Sequence, residues 1–311
     1  MTSSRVAGPV RIVGAGLLGT SIGLVLRRHG VEVSLVDASP TAVRLASEYG
    51  AGHAATDSDA PALIVVATPP DVVADVVAAE IALFPEAIVT DVASVKGSIQ
   101  KALAERGIVA ANYVGSHPMA GRERGGAISG RADLFISRPW IISASPESAS
   151  SAVRAVENLA LELGAAPIHV GAAEHDRAVA LVSHAPQVLS SVLAGELVDA
   201  DEAYVRVAGQ GLRDMTRIAG SDPVLWQAIL ESNAESVAGV LEAYARDLDE
   251  RRHIYQRLID GYLAGKPAGS DREQVLNVQA GRCDVALVNT SSIGALRAAI
   301  PAQRVIELLL P

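Results

Sequence analysis

The chain has 311 residues, half of them hydrophobic and a fifth charged, with a formal net charge of −9. That length exceeds one small core and predicts two domains, and the acidic balance argues against nonspecific binding to nucleic acid or to an anionic membrane. The single cysteine, Cys283, rules out an intrachain disulfide and a thiolate-only metal site, and reads as packing.

Short apolar runs alternate with amphipathic stretches through the first half. Residues 10–13 read as a strand, 17–28 as a helix, 31–36 as a strand, and 40–49 as a helix with Pro40 in its first turn. Residues 63–67, 87–90 and 113–115 read as strands, with helices over 71–83 and 98–106 between them. Further strands are expected at 139–144 and 166–170, around a helix at 148–163. This rhythm predicts an α/β fold, a doubly wound (Rossmann-type) parallel sheet.

From residue 171 to 263 helical periodicity replaces strand punctuation. Leu225, Ile229, Val237, Val240, Leu241, Tyr244 and Leu248 recur at three- and four-residue steps, as in one or two long helices suited to packing against a second subunit. Gly265, Pro267 and Gly269 mark a linker. The expected domains are 1–170 (dinucleotide-binding), 171–265 (all-helical, dimerising) and 266–311 (linker and short tail). Residues 1–8 carry no apolar core of signal-peptide length, and no uncharged run reads as long enough to cross a bilayer, so a cytoplasmic protein is expected.

Gly14-Ala15-Gly16-Leu17-Leu18-Gly19 leaves a strand and opens a helix. The first glycine permits the tight turn, the second lets backbone approach a pyrophosphate, and the third allows close helix–strand packing. Asp37 closes the next strand, where it can accept from both ribose hydroxyls and repel a 2′-phosphate; NAD is favoured over NADP. Thr68, past the end of a third strand, joins this set.

Gly115-Ser116-His117-Pro118-Met119-Ala120-Gly121 places an imidazole where such a fold presents its nicotinamide, suited to taking a proton from a substrate hydroxyl as hydride leaves. Ser94, in Asp91-Val92-Ala93-Ser94-Val95-Lys96, either orients His117 or the substrate hydroxyl, or caps the next helix. His175 and His184 are nine residues apart, which on helical geometry puts them on opposite faces. Pro186 should kink its helix and free a carbonyl. Of the two arginines in Gly209-Gln210-Gly211-Leu212-Arg213-Asp214-Met215-Thr216-Arg217, Arg213 reads as solvated and Arg217 as the carboxylate-binding candidate.

Together these segments resemble the prephenate/arogenate dehydrogenase family of tyrosine biosynthesis, from about residue 10 to 263. The family's motifs match G-x-G-x-x-G, D-x-x-S-V-K, G-S-H-P-M-A-G, H-D, S-H-x-P and the run from Gly209 to Trp226. The resemblance implies that His117 is the catalytic histidine, with Ser94 orienting it and Arg217 binding the substrate's side-chain carboxylate. It also implies that Glu123 and Asp214 gate the pocket or pair with its basic residues, and that His175, Asp176, His184 and Trp226 line its helical half. The implied reaction is oxidative decarboxylation of prephenate to 4-hydroxyphenylpyruvate with NAD, in a homodimer. Gln187 stands where relatives often carry histidine or an apolar residue and adds to the substrate pocket. No complete regulatory ACT domain is expected in the tail over 266–311. Arg122 favours prephenate over arogenate, whose ammonium would want an acid nearby. A dinucleotide-sensing protein without turnover would need no base beside the nicotinamide.

Overall fold

The computed structural model describes residues 4–108, 111–122 and 125–264. Its first elements are β1 (Val10–Val13), α1 (Leu17–Arg28), β2 (Val33–Val36), α2 (Pro40–Glu48), β3 (His53–Ala54), β4 (Leu63–Val66) and α3 (Pro70–Leu83). They continue as β5 (Ile88–Asp91), α4 (Gly97–Glu105), β6 (Tyr113–Pro118), β7 (Pro139–Ser143), α5 (Ser150–Glu162) and β8 (Ala166–His169). One eight-stranded sheet results, in the order β3-β2-β1-β4-β5-β6-β7-β8. Every residue of β1 and β4 is buried, the pattern of parallel strands covered on both faces. One core, with Ile22, Leu26, Trp140 and Leu159, and a second, with Val73, Val77, Ile99 and Leu103, pack against the sheet.

The sheet departs from the expected all-parallel arrangement at its last two strands, which run opposite to the other six. β7 runs antiparallel to β6 and parallel to β8. The connection from β6 to β7 holds only a short 3-10 turn, Ala127–Ser129, among its described residues. With no crossover helix the chain returns along its neighbour in the opposite sense, whereas α5 restores the parallel crossover to β8. β3, two residues at the sheet edge, was not anticipated.

The helical part is more segmented than one or two long helices. It comprises α6 (Ala172–Val179), a π-helical turn (Ala180–His184), α7 (Ala185–Glu196), α8 (Glu202–Val205), α9 (Gln210–Thr216), a 3-10 turn (Arg217–Gly220), α10 (Pro223–Ser232) and α11 (Ala234–Ala264). The breaks have local causes. Asp201 caps α8 by accepting from Ala203 N–H, and Asp222, followed by Pro223 in the first turn, caps α10 through Val224 N–H. The chain divides into compact units at Val240 and Leu241, within α11, and the second unit is described as the continuation of that helix to Ala264.

One expectation is corrected here. Ala172–Glu196 is 25 residues long and apolar enough, by length and composition, to cross a membrane. The same stretch buries His175, Asp176, His184 and Gln187. It is tied to neighbouring segments by Ser190 Oγ to Met215 O and Gln187 Nε2 to Ile218 O, polar contacts typical of a helix packed in protein.

Candidate active site

β1 pairs with both β2 and β4, so the strand order reverses direction beside it and opens a crevice at the carboxyl ends of the strands. Gly14 sits there at φ +110°, and a Cβ on it would lie 2.3 Å from Ala67 O; one on Gly19 would lie 1.9 Å from Gly14 O. The fold therefore requires both glycines. Gly16 has nothing within 4 Å of its would-be Cβ, and that open space is what an approaching pyrophosphate needs. α1 begins at Leu17 without a side-chain cap, so the N–H groups of Leu17 and Leu18 lack intrahelical acceptors and face an anion-binding position.

Asp37 is locked at the end of β2. Its Oδ2 accepts from Ala15 N–H at 2.7 Å and its Oδ1 from Ser39 N–H at 2.8 Å. Each oxygen keeps a further lone pair for a ribose hydroxyl. Thr68 Oγ1 and Ser94 Oγ, past the ends of β4 and β5, are buried with no partner among the described residues. Orphaned hydroxyls on the rim of this crevice and an uncapped helix terminus fit a dinucleotide.

His117 lies on the same rim. Asp91 pairs in register with Val66 and with Gly115, so the imidazole stands two residues beyond that row. Its Nδ1 is 2.9 Å from His175 Nε2, the two rings meeting edge to face. His175 Nδ1 in turn lies 2.8 Å from Asp176 Oδ1. Asp176 also accepts from Lys96 N–H at 2.9 Å and Gly97 N–H at 2.8 Å, capping α4 from α6. Burial pushes the Asp176 carboxyl up, but the His175 contact and the two backbone donors outweigh it and hold the group below the usual carboxylate range. Burial holds His117 well below an ordinary histidine, and coupling to His175, Lys96 and His184, whose protonated forms would repel a second cation, acts in the same direction. The ring is therefore neutral, and able to accept a proton, around pH 7.

Beneath His117 lies a buried ion pair. The side chains of Asp91 and Lys96 are wholly inaccessible and touch directly; Asp91 also accepts from Ala93 N–H at 2.9 Å and Tyr113 OH at 2.8 Å. Burial lowers Lys96, partly offset by Asp91, and raises the Tyr113 phenol well above its usual value. A Cβ on Gly115 would come within 3.1 Å of Lys96 Cδ and 3.4 Å of both Asp91 Oδ2 and Tyr113 OH. Glycine at the start of the histidine motif is thus explained by the ion pair behind it.

On the helical side, the π turn holds back roughly a quarter turn relative to an α-helix, because i→i+5 bonds wind the chain more slowly. His175 and His184 are consequently both buried, and Asn233 bridges the two ends of this stretch, its Nδ2 donating to Asp176 O and lying 3.2 Å from His184 Nδ1. This overturns the opposite-face expectation. Pro186 sits in the first turn of α7, and the freed-carbonyl distortion it was expected to cause takes the form of the π turn before it. Burial lowers His184 to about 4. Its ring packs edge-on against Trp226, 6.0 Å between centroids, and Trp226 lines a cleft of about 360 Å³ with Gln187, Ser191, Gln227 and Glu231.

A family model described as the prephenate dehydrogenase nucleotide-binding domain matches residues 22–169, and one described as the prephenate dehydrogenase dimerization domain matches residues 171–261. The chain belongs to the prephenate dehydrogenase family. A relative from Streptomyces niveus named "Probable prephenate dehydrogenase NovF" is 37% identical over 251 residues, spanning 80% of this chain and 69% of that protein. A cyclohexadienyl dehydrogenase from Zymomonas mobilis is 31% identical over 255 residues, spanning 78% and 87%. The crystal structure of the Aquifex aeolicus prephenate dehydrogenase in complex with hydroxyphenyl propionate and NAD+ superposes with a TM-score of 0.75 at 25% identity, covering 89% of this chain and 97% of that one.

Within this family frame the sequence-derived residues separate by where the structure places them. His117, His175, Asp176 and His184 form one buried cluster, and Trp226 and Gln187 line the adjoining cleft. Ser94 shares the rim, but its Oγ bonds neither His117 nor the start of the helix it was to cap. His117 contacts His175 instead, and the helix Ser94 was to cap starts at Gly97 and is capped by Asp176. Arg217 is exposed and opens the 3-10 turn whose Ala219, with Ser221 just beyond it, reaches the cleft, while Arg213 is exposed, as expected of a solvated residue. Arg122 is also exposed; after Arg131, it helps hold Asp133 below the ordinary carboxylate range, which turns its charge toward that acid. Asp214 is exposed and accepts from Gln210 Nε2. Glu123, Cys283 and the tail after residue 264 lie outside the described residues. Sequence reasoning missed the burial of Lys96; the only signal was an aspartate five positions upstream at a strand end.

Proposed function

We propose that this chain is an NAD-dependent prephenate dehydrogenase that converts prephenate to 4-hydroxyphenylpyruvate and carbon dioxide. The observation that carries the reading is a neutral, buried His117 on the rim that the glycine turn and Asp37 furnish for a dinucleotide. NAD supplies the hydride acceptor when bound, held by the N–H groups at the α1 terminus and by Asp37. His117 takes the proton of the ring hydroxyl as the hydride leaves the same carbon. The bond to the ring carboxylate then breaks, its electrons complete the aromatic ring, and His117 returns the proton to the forming phenol. Orphaned Ser94 Oγ and His184 Nε2 are donors available to the substrate. Arg217 is assigned to the side-chain carboxylate.

A second reading, arogenate as substrate, has one observation in its favour. Gln187 Nε2 donates to Ile218 O at 3.0 Å, which turns its buried, unpartnered Oε1 away as an acceptor, and Glu231 adds a carboxylate to the same cleft. An ammonium would be received there. Initial rates of the purified protein with prephenate and with arogenate, each with NAD and NADP, test both. Prephenate with NAD is expected to dominate; a higher rate with arogenate transfers the assignment, and no turnover with either ends it. We also propose that residues 171–265 form a homodimer, supported by the dimerization-domain match and the exposed Leu181, Val182, Leu189 and Val192; sedimentation giving a monomer would refute this.

A further inference from the structure

We propose that His175, held by Asp176, is a positioning residue that fixes His117 as its Nδ1–H tautomer and so makes Nε2 the atom that takes the substrate proton. The inference rests on the reading of His117 as the base. It follows from which atoms are already spent.

Asp176 is an acceptor with both oxygens, since Lys96 N–H and Gly97 N–H donate to it. The contact between Asp176 Oδ1 and His175 Nδ1 at 2.8 Å therefore needs the proton on Nδ1. A neutral His175 then has only its Nε2 lone pair left. That lone pair is 2.9 Å from His117 Nδ1, so the proton in this contact belongs to His117. A neutral His117 that carries its proton on Nδ1 has a bare Nε2. The chain Asp176–His175–His117 thus sets the tautomer of the last ring from a carboxylate two residues removed. It also gives the imidazolium, once formed, an acceptor for its Nδ1–H. His175 is buried to within 1% of its surface, so bulk water does not compete for its ring nitrogens. Ser94, the orienting group expected from sequence, has an Oγ that bonds nothing among the described residues.

The test uses the full chain. Nitrogen NMR of histidine-labelled protein, with His117→Asn to assign the signal, reads the tautomer directly: Nδ1 protonated and Nε2 bare is expected, and the reverse overturns the proposal. His175→Phe fills the space but cannot accept; kcat should fall about a hundredfold or more, with KM and the NAD Kd nearly unchanged. His175→Gln keeps an oxygen at the Nε2 position, with its NH₂ drawn to Asp176, and should stay within about tenfold of wild type. Equal losses in the two variants, or full kcat in the phenylalanine variant, would sink the positioning role. Undiminished turnover in His117→Asn would instead sink the base assignment beneath it. If either His175 variant fails to fold, the tautomer in the unmodified protein still decides.

Discussion

Replacing Asp91 by alanine tests the buried ion pair most severely. Lys96 would keep its ammonium in a site with no accessible surface. The penalty of that buried charge alone cannot exceed the cost of deprotonating it. For a lysine with an ordinary value of 10.5, that is about 4.8 kcal/mol at pH 7. With the Lys96 penalty below that ceiling and about 1 kcal/mol for each lost hydrogen bond from Ala93 N–H and Tyr113 OH, roughly 4–6 kcal/mol is expected from Asp91→Ala. Lys96→Met should cost less, roughly 2–3 kcal/mol, because Asp91 keeps those two donors. The sign with pH follows from burial. Lys96 in folded Asp91→Ala titrates below its unfolded value, so the unfolded chain binds more protons between the two. Stability should therefore rise with pH across that window, approaching about 1.4 kcal/mol per unit. Wild type carries part of this slope, because burial already lowers Lys96. The measurement is urea unfolding of the three proteins at pH 7, 8 and 9. The reasoning is refuted if Asp91→Ala is no costlier than Lys96→Met, or if its pH slope does not exceed that of wild type.

The glycine turn separates folding from binding. Gly19→Ala should cost roughly 3 kcal/mol, since its Cβ would lie 1.9 Å from Gly14 O, while Gly16→Ala, with nothing within 4 Å, should leave the melting temperature alone and raise the NAD Kd at least about tenfold; calorimetry of both variants checks the split. His184 in the fold sits near 4, against 6.5 unfolded. The stability it lends is whole above pH 6.5 and is lost as pH falls toward 4. Wild type should lose about 2 kcal/mol more than His184→Gln between pH 7 and 5, and parallel denaturation curves would contradict it.

Much of the dinucleotide half was legible because each residue there answers to a local rule. Gly14, Gly16 and Gly19 occupy the three positions a strand–turn–helix phosphate site demands, and Asp37 stands at the next strand end. The direction of β7 was not legible, because it depends on what the preceding loop lacks. The helical half was misjudged for two physical reasons. Apolar periodicity continues across the breaks at Asp201 and Asp222, although both capping signals are in the sequence. Periodicity also assumes 3.6 residues per turn, and the π turn changes the phase of everything beyond it. The partnership of His117 with His175 spans 58 residues, and no spacing rule reaches that far.

The π turn has a consequence for chain length. It acts as a single surplus residue stored within an otherwise regular helix. Removing one residue from Ala180–His184 would let the backbone relax into an uninterrupted α-helix with better hydrogen bonds. The same deletion would swing His184 and Gln187 around the helix axis, away from Asn233, Trp226 and the cleft. A more regular backbone here means a dismantled pocket, so this helix tolerates substitution more readily than deletion. Homologous chains should therefore be aligned through it without a gap.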